Sequence, residues 1–529
     1  MHTRYAAIIV IILSACIASC GVEKNLKRGD KHLVLGEYYD AAGQFKQAYS
    51  KLPAKERERR GDVSLKLARC YEKLNATSKA IAAYRNAIRY HYASAEDMLQ
   101  YARQLLKNGS YKAAEEVFKT ILDSLPNNIL ARNGLISAEK APLWKKIGSH
   151  YTVKLMDVFN SRRDDYSPVL CGDQFDRLYF TSTRNEANGD ELSGITGTKA
   201  ADIFVSEKDD KGKWSKPESV TGGLNTAYDE GACALSPDQK NMYLTQCTTD
   251  ATYPRYAQIV TSERADAAWP KSSTLEITKD TLSSYAHPAI SPDGEWLYFS
   301  SDMPGGLGGL DIWRIRITNH GLGGVENLGE PINTPGDEEF PTFRPNGDFY
   351  FSSNGHPGMG GLDIYIATVG SNGKYRLFHP GYPLNSQGDD FGMTFDGPHN
   401  RGFFSSNRND GRGWDHIYSF ENPEIVLSIK GWIYEMDGYE LPAAQVQIVG
   451  DDGTNEVLSV KGDGSFTYTA KPNVNYLLLA SCKGFLNHKE EIHIDKTDES
   501  KEYVLQFPLA SITAPVLIDN IFYDFSKAT

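Results

Sequence analysis

A glycine-rich phrase recurs in the second half of this chain. It reads GGLGGLDIW at residues 305–313, GMGGLDIY at 358–365 and, in a degraded form, GRGWDHIY at 411–418. Glycine-rich loops bind phosphates when a helix follows them, because the amide groups at the helix N-terminus point at the anion. Here each phrase runs into a strand-like stretch, and the Lys-Ser/Thr ending of a phosphate loop is missing. A motif that recurs indicates architecture, so we expect no nucleotide site.

The phrases belong to a unit of four strands that recurs five times, about every fifty to sixty residues. Its second strand is rich in aromatic residues and ends in Ser or Thr, and its third usually opens with Asp-Ile. The second strands lie at residues 176–184, 241–247, 295–303, 348–355 and 401–408, and the fourth strands are expected around Trp214, Trp269, Val325 and Tyr375. A four-stranded unit at this period is typical of a β-propeller blade.

This pattern closely resembles the TolB-type, WD40-like "PD40" repeat, and the resemblance implies a β-propeller over residues 150–422. Residues 150–160 precede the first unit and look like an orphan fourth strand. Five blades closed by that strand use every segment and leave no exposed sheet edge; six blades is the alternative and requires one unrecognised copy. The glycines allow positive φ angles, and the aspartate that opens the third strand is expected to cap the turn.

Residues 25–140 have helical patterning, with three segments at matching spacing. Gly36 and Gly109 occupy equivalent positions, and Asn75 stands 34 positions before Gly109. Small and aromatic residues follow each of them at the same offsets, and Pro53 and Pro126 end helices. The region resembles a tetratricopeptide domain of about three repeats, which implies a concave groove for a peptide or helix of a partner. A helical spacer without a ligand is the alternative.

The N-terminus has the pattern of a bacterial lipoprotein leader. Residues 6–13 are apolar but too short to span a membrane, and LSAC and IASC follow. Both resemble a lipobox, in which cleavage leaves a lipidated cysteine. We predict a signal peptide over residues 1–19 and lipidation of Cys20; Cys16 and an ordinary secretory leader are the alternatives. No acidic pair follows Cys20, so the resemblance implies an outer-membrane lipid anchor facing the periplasm.

The C-terminal part resembles two further families. Residues 425–510 alternate like strands and, with Lys430-Gly431 and Lys483-Gly484-Phe485, resemble the carboxypeptidase regulatory-like β-sandwich, which is not catalytic. Residues 463–466 are expected to form a hairpin. Residues 511–529 resemble a linker and the first strand of an OmpA-like domain, whose peptidoglycan-binding positions would lie further along; we expect a longer or truncated protein.

Composition and motifs give no sign of catalysis. The formal net charge of −12 argues against a nucleic-acid partner. No G-x-S-x-G elbow is present, and the cysteines lack metal-like spacing, although Cys233 and Cys247 could meet across one hairpin. The histidines between residues 150 and 422 fall mainly in loops and are interpreted as isolated surface residues. We predict no enzyme activity, no catalytic residue, no cofactor and no metal.

The expected fold is therefore multidomain: an all-α solenoid, an all-β propeller and a β-sandwich. In this order, behind a lipidated cysteine and before an OmpA-like start, the modules resemble OmpA-family lipoproteins of the type IX secretion system. The resemblance implies a periplasmic scaffold that links other secretion subunits, through its helical repeats and propeller, to the outer membrane and to peptidoglycan. A general cell-wall-anchoring lipoprotein is the first alternative and a propeller enzyme the second.

Overall fold

The computed structural model describes residues 21–512, apart from 190, 248–255, 267, 319–320, 345, 371–372, 424, 496 and 498–499. The chain divides into two compact units, Met1–Asn422 and Pro423–Thr529. Within the described ranges, no helix has both the length and the apolar character needed to cross a membrane. The predicted leader, with Cys16 and Cys20, and residues 513–529 of the predicted OmpA-like start lie outside the described residues.

Helices come first in the described chain. There are seven: α1 (residues 21–34), α2 (Tyr38–Lys51), α3 (Arg57–Lys73), α4 (Thr77–Arg89), α5 (Ala95–Lys107), α6 (Tyr111–Ser124) and α7 (Ile129–Ile147). From α2 onward each helix packs against the next. The helical stretch reaches residue 147, beyond the expected end at residue 140, and Pro142 lies inside α7.

Left-handed turn residues precede α2, α4 and α6, and the last two of them stand 34 residues apart. Gly36, Asn75 and Gly109 have φ angles of 73°, 57° and 71°. Glycine and asparagine adopt this left-handed conformation at low cost, which lets a helix end and the chain reverse. The helices that follow bury matching residues, namely Ala41, Phe45 and Ala48, then Ala80, Tyr84 and Ala87, then Ala114, Phe118 and Ile121.

Five four-stranded antiparallel sheets complete the first unit. Sheet 1 contains β2 (Asp165–Cys171), β3 (Arg177–Ser182), β4 (Asp202–Glu207) and β5 (Glu218–Ser219); sheet 2 contains β6 (Asp229–Leu235), β7 (Asn241–Cys247), β8 (Ala257–Glu263) and β9 (Ser273–Thr274). Sheet 3 contains β10 (Tyr285–Ile290), β11 (Trp296–Ser301), β12 (Asp311–Thr318) and β13 (Gly321–Asn327). Sheet 4 contains β14 (Glu338–Phe343), β15 (Phe349–Ser353), β16 (Asp363–Val369) and β17 (Tyr375–Phe378). Sheet 5 contains β18 (Asp390–Phe395), β19 (Arg401–Ser406), β20 (His416–Glu421) and β1 (Thr152–Leu155).

The sheets form a propeller-like ring. Their first strands β2, β6, β10, β14 and β18 contact one another in a closed cycle and surround a central channel. The strand β1, which precedes sheet 1 in the chain, pairs with β20 from Thr152↔Glu421 to Leu155↔Tyr418. It therefore completes sheet 5 and joins the two ends of the ring. Every described strand between residues 150 and 422 lies in one of the five sheets, so the described chain contains no sixth.

Two of the expected fourth strands are displaced. Trp214 and Trp269 lie before β5 and β9, whereas Val325 and Tyr375 lie in β13 and β17 as expected. The reason is packing: Trp269 is only 2% exposed and donates its indole N–H to the hydroxyl of Tyr179 at 3.2 Å. The backbone of Trp269 bonds instead to Thr221 and Gly223 of the preceding connection.

The second unit has two sheets around one apolar core. One sheet has the order β24 (Ser465–Ala470), β21 (Leu427–Glu435), β27 (Lys501–Leu509), with β21 and β27 parallel. The other has the order β23 (Asn455–Ser459), β22 (Gln445–Gly450), β25 (Val474–Ser481), β26 (His488–Ile494). Residues 463–466 do not form the expected hairpin, because β23 and β24 belong to different sheets. The Asp463 side chain instead holds a turn by accepting the Ser465 N–H at 3.0 Å.

Candidate functional site at the mouth of the ring channel

The recurring glycine loops are structural. Asp311 accepts the N–H of Leu307 at 2.5 Å, and Asp363 accepts those of Met359 and Gly360 at 2.9 and 3.1 Å. Both aspartates begin a strand, so no helix N-terminus is present there to receive an anion. A Cβ atom at Gly360 would lie 1.8 Å from the carbonyl oxygen of Gln387 in the next connection. Glycine is therefore required by the close approach of two backbones.

In four of the five connections between sheets, an asparagine side chain joins the connection to the sheet before it. The amide of Asn385 accepts the N–H of Ile364 at 2.8 Å and donates to its carbonyl at 2.9 Å, as another strand would. The same pair of bonds links Asn160 to Ile417, Asn225 to Ile203 and Asn333 to Ile312. The side-chain amides of these asparagines hold the ring together and are therefore not free to bind a ligand.

Buried carboxylates follow these asparagines in four of the five connections. Asp165, Glu230, Glu338 and Asp390 are each 0% exposed and accept the backbone N–H of the residue four positions earlier. Arg184 and Arg408 pair with Asp165 and Asp390, both at 2.5 Å, which compensates the buried charge. The third sheet departs from this pattern, because Tyr285 stands where the others have an acid.

The channel wall is made by one bulge in each innermost strand. The bulge residues Ser167, Ala232, His287, Phe340 and Gly392 all have positive φ angles, between 42° and 62°. Proline follows the bulge residue in β2, β10 and β14. The ring of His287 stacks on Phe340 at 3.8 Å between centroids, and Phe340 lies 4.4 Å from Phe391. Aromatic rings therefore narrow the channel, leaving a cavity of about 160 Å³ between the bulges.

A larger cavity, of about 690 Å³, lies at the mouth where the innermost strands begin. We call it the mouth cavity. The ring forms most of its wall, and Tyr38 and Lys73 cover it from the helices. Its charged lining consists of Asp229, Glu230, Asp302, Asp337 and Glu339 with the single ammonium of Lys73, counted over the described residues. The cavity is therefore strongly acidic.

Glu339 and His287 differ from the other polar groups of this lining. Asp337 accepts the N–H of Leu310 and the side chain of Asn354, whereas no hydrogen bond reaches the Glu339 carboxylate from any described residue. The neutral ring of His287 lies close by: its Nδ1 is 3.7 Å from Glu339 Oε2 and is buried without a hydrogen bond in the described part of the chain. Burial raises the pKa of Glu339 to about 8 and lowers that of His287 to about 3.

The helices are fixed on the ring by polar contacts close to this mouth. Asn75 donates to Asp389 at 2.9 Å, and Lys107 forms an ion pair with the same carboxylate. Tyr111 donates to the carbonyl of Met359 at 2.9 Å, and Trp144 stacks on His379 at 4.8 Å.

A second cavity of about 570 Å³ runs between α5 and the ring loops, and we call it the slot. The slot and the mouth cavity share Lys73, Gly309, Asp337 and Glu339 as lining residues.

Several sequence-based interpretations need correction here. His287 is not a surface residue, because its side chain is only 16% exposed inside the ring. His379 and His416 are also mostly covered and contact Asp363 and Asp410 at 3.2 and 3.0 Å. Cys233 and Cys247 do not meet across the hairpin, since their strand partners are Leu244 and Asp229. The five cysteines of the described chain are free, and three of them are buried.

One group of side chains has the spacing of metal ligands. His32, Glu37 and Asp40 place one donor atom each within 4.8 Å of one another at the turn between α1 and α2, and they are the only such group among the described residues. The contact between His32 Nδ1 and Glu37 Oε2, at 2.5 Å, already provides the histidine with a partner. The group therefore needs no ion to explain its geometry.

No protein-family model and no curated protein matches the sequence. Solved structures do resemble it, at low identity. A putative TolB from Agrobacterium tumefaciens is 17% identical over 52% of this chain and all of its own, with a TM-score of 0.26. A thermostable family-43 glycoside hydrolase is 12% identical over 50% of this chain and 91% of its own (TM-score 0.33), and a puromycin-hydrolyzing peptidase of Mycobacterium tuberculosis is 15% identical over 46% and 33% (0.27). At such TM-scores these likenesses assign no function.

Proposed function

We propose that this chain is a non-catalytic scaffold lipoprotein of the type IX secretion system, similar to PorE. Acyl chains on Cys20 hold it at the outer membrane, facing the periplasm. The helices and the ring dock other secretion subunits, and an OmpA-like end holds peptidoglycan. Each attachment raises the effective concentration for the next, so moderate contacts give a durable assembly.

The observation that supports a scaffold most directly is the use made of the recurring polar residues. These residues most resemble site residues in the sequence, yet Asp311 and Asp363 bond to backbone N–H groups of their own loops, and the connecting asparagines bond to the backbone of a neighbouring strand. The helices are also held on the ring by buried polar contacts such as Lys107 with Asp389. A body of this kind presents constant surfaces to partners and offers few groups for chemistry.

Crosslinking in intact cells, followed by mass spectrometry, tests the proposal. We expect crosslinks from the helices and the ring to other secretion-system subunits. Crosslinks confined to peptidoglycan and general outer-membrane proteins would instead favour a cell-wall-anchoring lipoprotein without a secretion role.

The lipid anchor is tested separately by two matched variants. Cys20→Ala is expected to abolish incorporation of radiolabelled palmitate and to release the protein from the outer-membrane fraction, whereas Cys16→Ala leaves both unchanged. The reverse result would move the anchor to Cys16. If both variants still incorporate palmitate, the predicted anchor is contradicted.

One observation favours a second candidate, a propeller enzyme. Glu339 is a carboxylic acid that no described residue reaches with a hydrogen bond; it lies in a cavity of about 690 Å³, and burial raises its pKa to about 8. Such a group remains protonated at neutral pH and is suited to general acid catalysis. Incubation with peptidoglycan fragments and with peptides is the test: product release by the native protein, lost in Glu339→Gln, would favour the enzyme over the scaffold.

A further inference from the structure

Glu339 and His287 face each other without a hydrogen bond in the described part of the chain; the Nδ1 atom of His287 is fully buried, whereas the Glu339 side chain is 17% exposed. The two groups lie 3.7 Å apart. Buried polar atoms without hydrogen bonds are uncommon in native proteins, because removing them from water is costly. The pair lies on the wall of the mouth cavity, which has room for an additional group.

The chemistry of the missing partner follows from the two groups. Once its proton has been displaced, the Glu339 carboxylate only accepts hydrogen bonds, and a neutral imidazole that carries its proton on Nε2 accepts at Nδ1. Both atoms therefore call for a donor. The remaining lining adds the carboxylates of Asp229, Asp302 and Asp337, so the partner should also be positively charged. Lysine ammonium and arginine guanidinium carry three and five N–H donors and no acceptor, and they meet both requirements.

Lys73 does not meet this need. It lines the cavity and bears the one positive charge there, but its side chain is exposed and forms no ion pair within the described chain. Asp229 and Asp337 each accept a main-chain N–H, so their carboxylates are fixed in the cavity and cannot turn away from each other. The negative potential is therefore built into the ring.

The slot shows how such a group would reach the mouth cavity. It runs along Gln100, Arg103 and Lys107 of α5, faces the ring loops, and ends at the residues that it shares with the mouth cavity. A polar cleft that is continuous with a larger cavity suits an extended polypeptide with one long side chain directed inward. A free amine would make no contacts with the cleft.

We propose that the mouth cavity receives a lysine or arginine side chain of a partner protein, presented by an extended segment in the slot, with Glu339 and His287 as its direct contacts. This inference rests on the proposed scaffold role and names the chemistry of one of its docking surfaces. The basic side chain supplies donors to both unpartnered atoms and offsets the negative charge of the lining.

Synthetic peptides test the site on the purified full-length protein. The probe is a fluorescein-labelled pentapeptide of alanines with a central arginine, and the reference replaces that arginine by citrulline, which has the same shape without the charge. We expect the arginine peptide to bind at least tenfold more tightly in fluorescence anisotropy. Equal binding of the two peptides would overturn the proposal, and so would equal binding of free methylguanidine and the arginine peptide.

Two variants assign the contacts. Glu339→Gln removes the ionisable carboxyl group with little change of shape, and His287→Phe keeps the stacking on Phe340 but removes the Nδ1 acceptor. Each is expected to weaken the arginine peptide at least fivefold. The control is Glu218→Gln, on the exposed outer strand β5, which should leave binding unchanged. If Glu339→Gln binds the arginine peptide with unchanged affinity, this carboxylate is not the contact and the proposal is wrong.

A proton count provides a readout that a purely structural role would not move. Glu339 faces Lys73 from α3, His287 from β10, and Asp337, Glu338 and Asp389 of the ring. Burial keeps it protonated at neutral pH, so a bound cation should displace its proton. Calorimetry of the arginine peptide at pH 7 in phosphate and in Tris should reveal proton release, and none in Glu339→Gln. Failure of these peptide tests would leave the crosslinking test of the scaffold role unaffected.

Discussion

At the scale of single residues, the connecting asparagines stabilise the ring because each replaces a missing strand. Ile364 is 1% exposed, and both its N–H and its carbonyl bond to the amide of Asn385. We predict that Asn385→Ala lowers the free energy of unfolding by about 2–4 kcal/mol, because two buried backbone groups lose their partner. Denaturant titration followed by circular dichroism measures this change.

The control for Asn385→Ala is Asn185→Ala, in the exposed loop after β3. It should change stability by no more than about 0.5 kcal/mol, as is usual for exposed positions. If the two alanine variants lose the same stability, the amide of Asn385 does not act as a strand substitute.

Also at the residue scale, Glu339 makes stability depend on pH. Its pKa rises from about 4.3 in an unfolded chain to about 8 in the folded protein through burial. The folded state therefore holds a proton that the unfolded state has released, and this stabilisation is lost as pH rises through 8. We predict that, between pH 6.5 and 8, wild type loses up to about 2 kcal/mol more stability than Glu339→Gln.

The window from pH 6.5 to 8 lies above the pH range in which His287 affects stability. Burial lowers its pKa to about 3, so its contribution to stability disappears only as pH falls below the value of an unfolded histidine, near 6.5. Urea titrations at several pH values within the window separate the two groups. Parallel pH profiles for wild type and Glu339→Gln would show that the carboxyl is ionised in the folded protein.

At the scale of secondary-structure elements, two glycines at the start of the helical region have opposite roles. Gly36 ends α1 with a φ angle of 73°, whereas Gly43 lies within α2 at an exposed position, and a Cβ atom would meet nothing at either. We predict that Gly36→Ala destabilises the protein by about 1 kcal/mol through backbone strain. Gly43→Ala should stabilise it by about 0.5–1 kcal/mol through helix propensity.

Thermal unfolding of the two variants in parallel measures both effects. Each adds the same methyl group to open space, so lost or gained packing contributes nothing to the comparison. Melting temperatures that move in the same direction would contradict the assignment of Gly36 as a left-handed helix end.

The elements also show what the sequence could and could not predict. The helical hairpins and the five sheets could be predicted from sequence repetition, because turn residues such as Gly109 and Asn385 recur at fixed offsets. Two fourth strands begin a few residues after the predicted positions, because Trp269 has strand propensity but packs between sheets. The mouth cavity could not be predicted at all, since ring closure brings His287 and Glu339 together from separate strands. The local signal was the proline after three of the five bulge residues, as in His287-Pro288.

At the scale of the whole molecule, the helices and the ring belong to one compact unit, although the sequence predicts them as separate modules. Their junction is centred on Asp389. Burial opposes its ionisation, but the ammonium of Lys107 and the hydrogen bonds of the site hold the pKa of Asp389 below its usual value. Coupling between helices and ring therefore depends on a buried ion pair supported by the amides of Asn75 and Asn407.

We predict that Lys107→Met separates the two parts. It leaves the Asp389 carboxylate buried without its cation, which costs about 3 kcal/mol in comparable cases. Because that cost falls on the junction and not on either core, calorimetry should show a helical transition that moves to lower temperature and away from that of the ring. The control is Lys112→Met, an exposed lysine on α6, which should keep the wild-type profile. A single unshifted transition in Lys107→Met would mean that the apolar and aromatic contacts, such as Trp144 on His379, hold the junction by themselves.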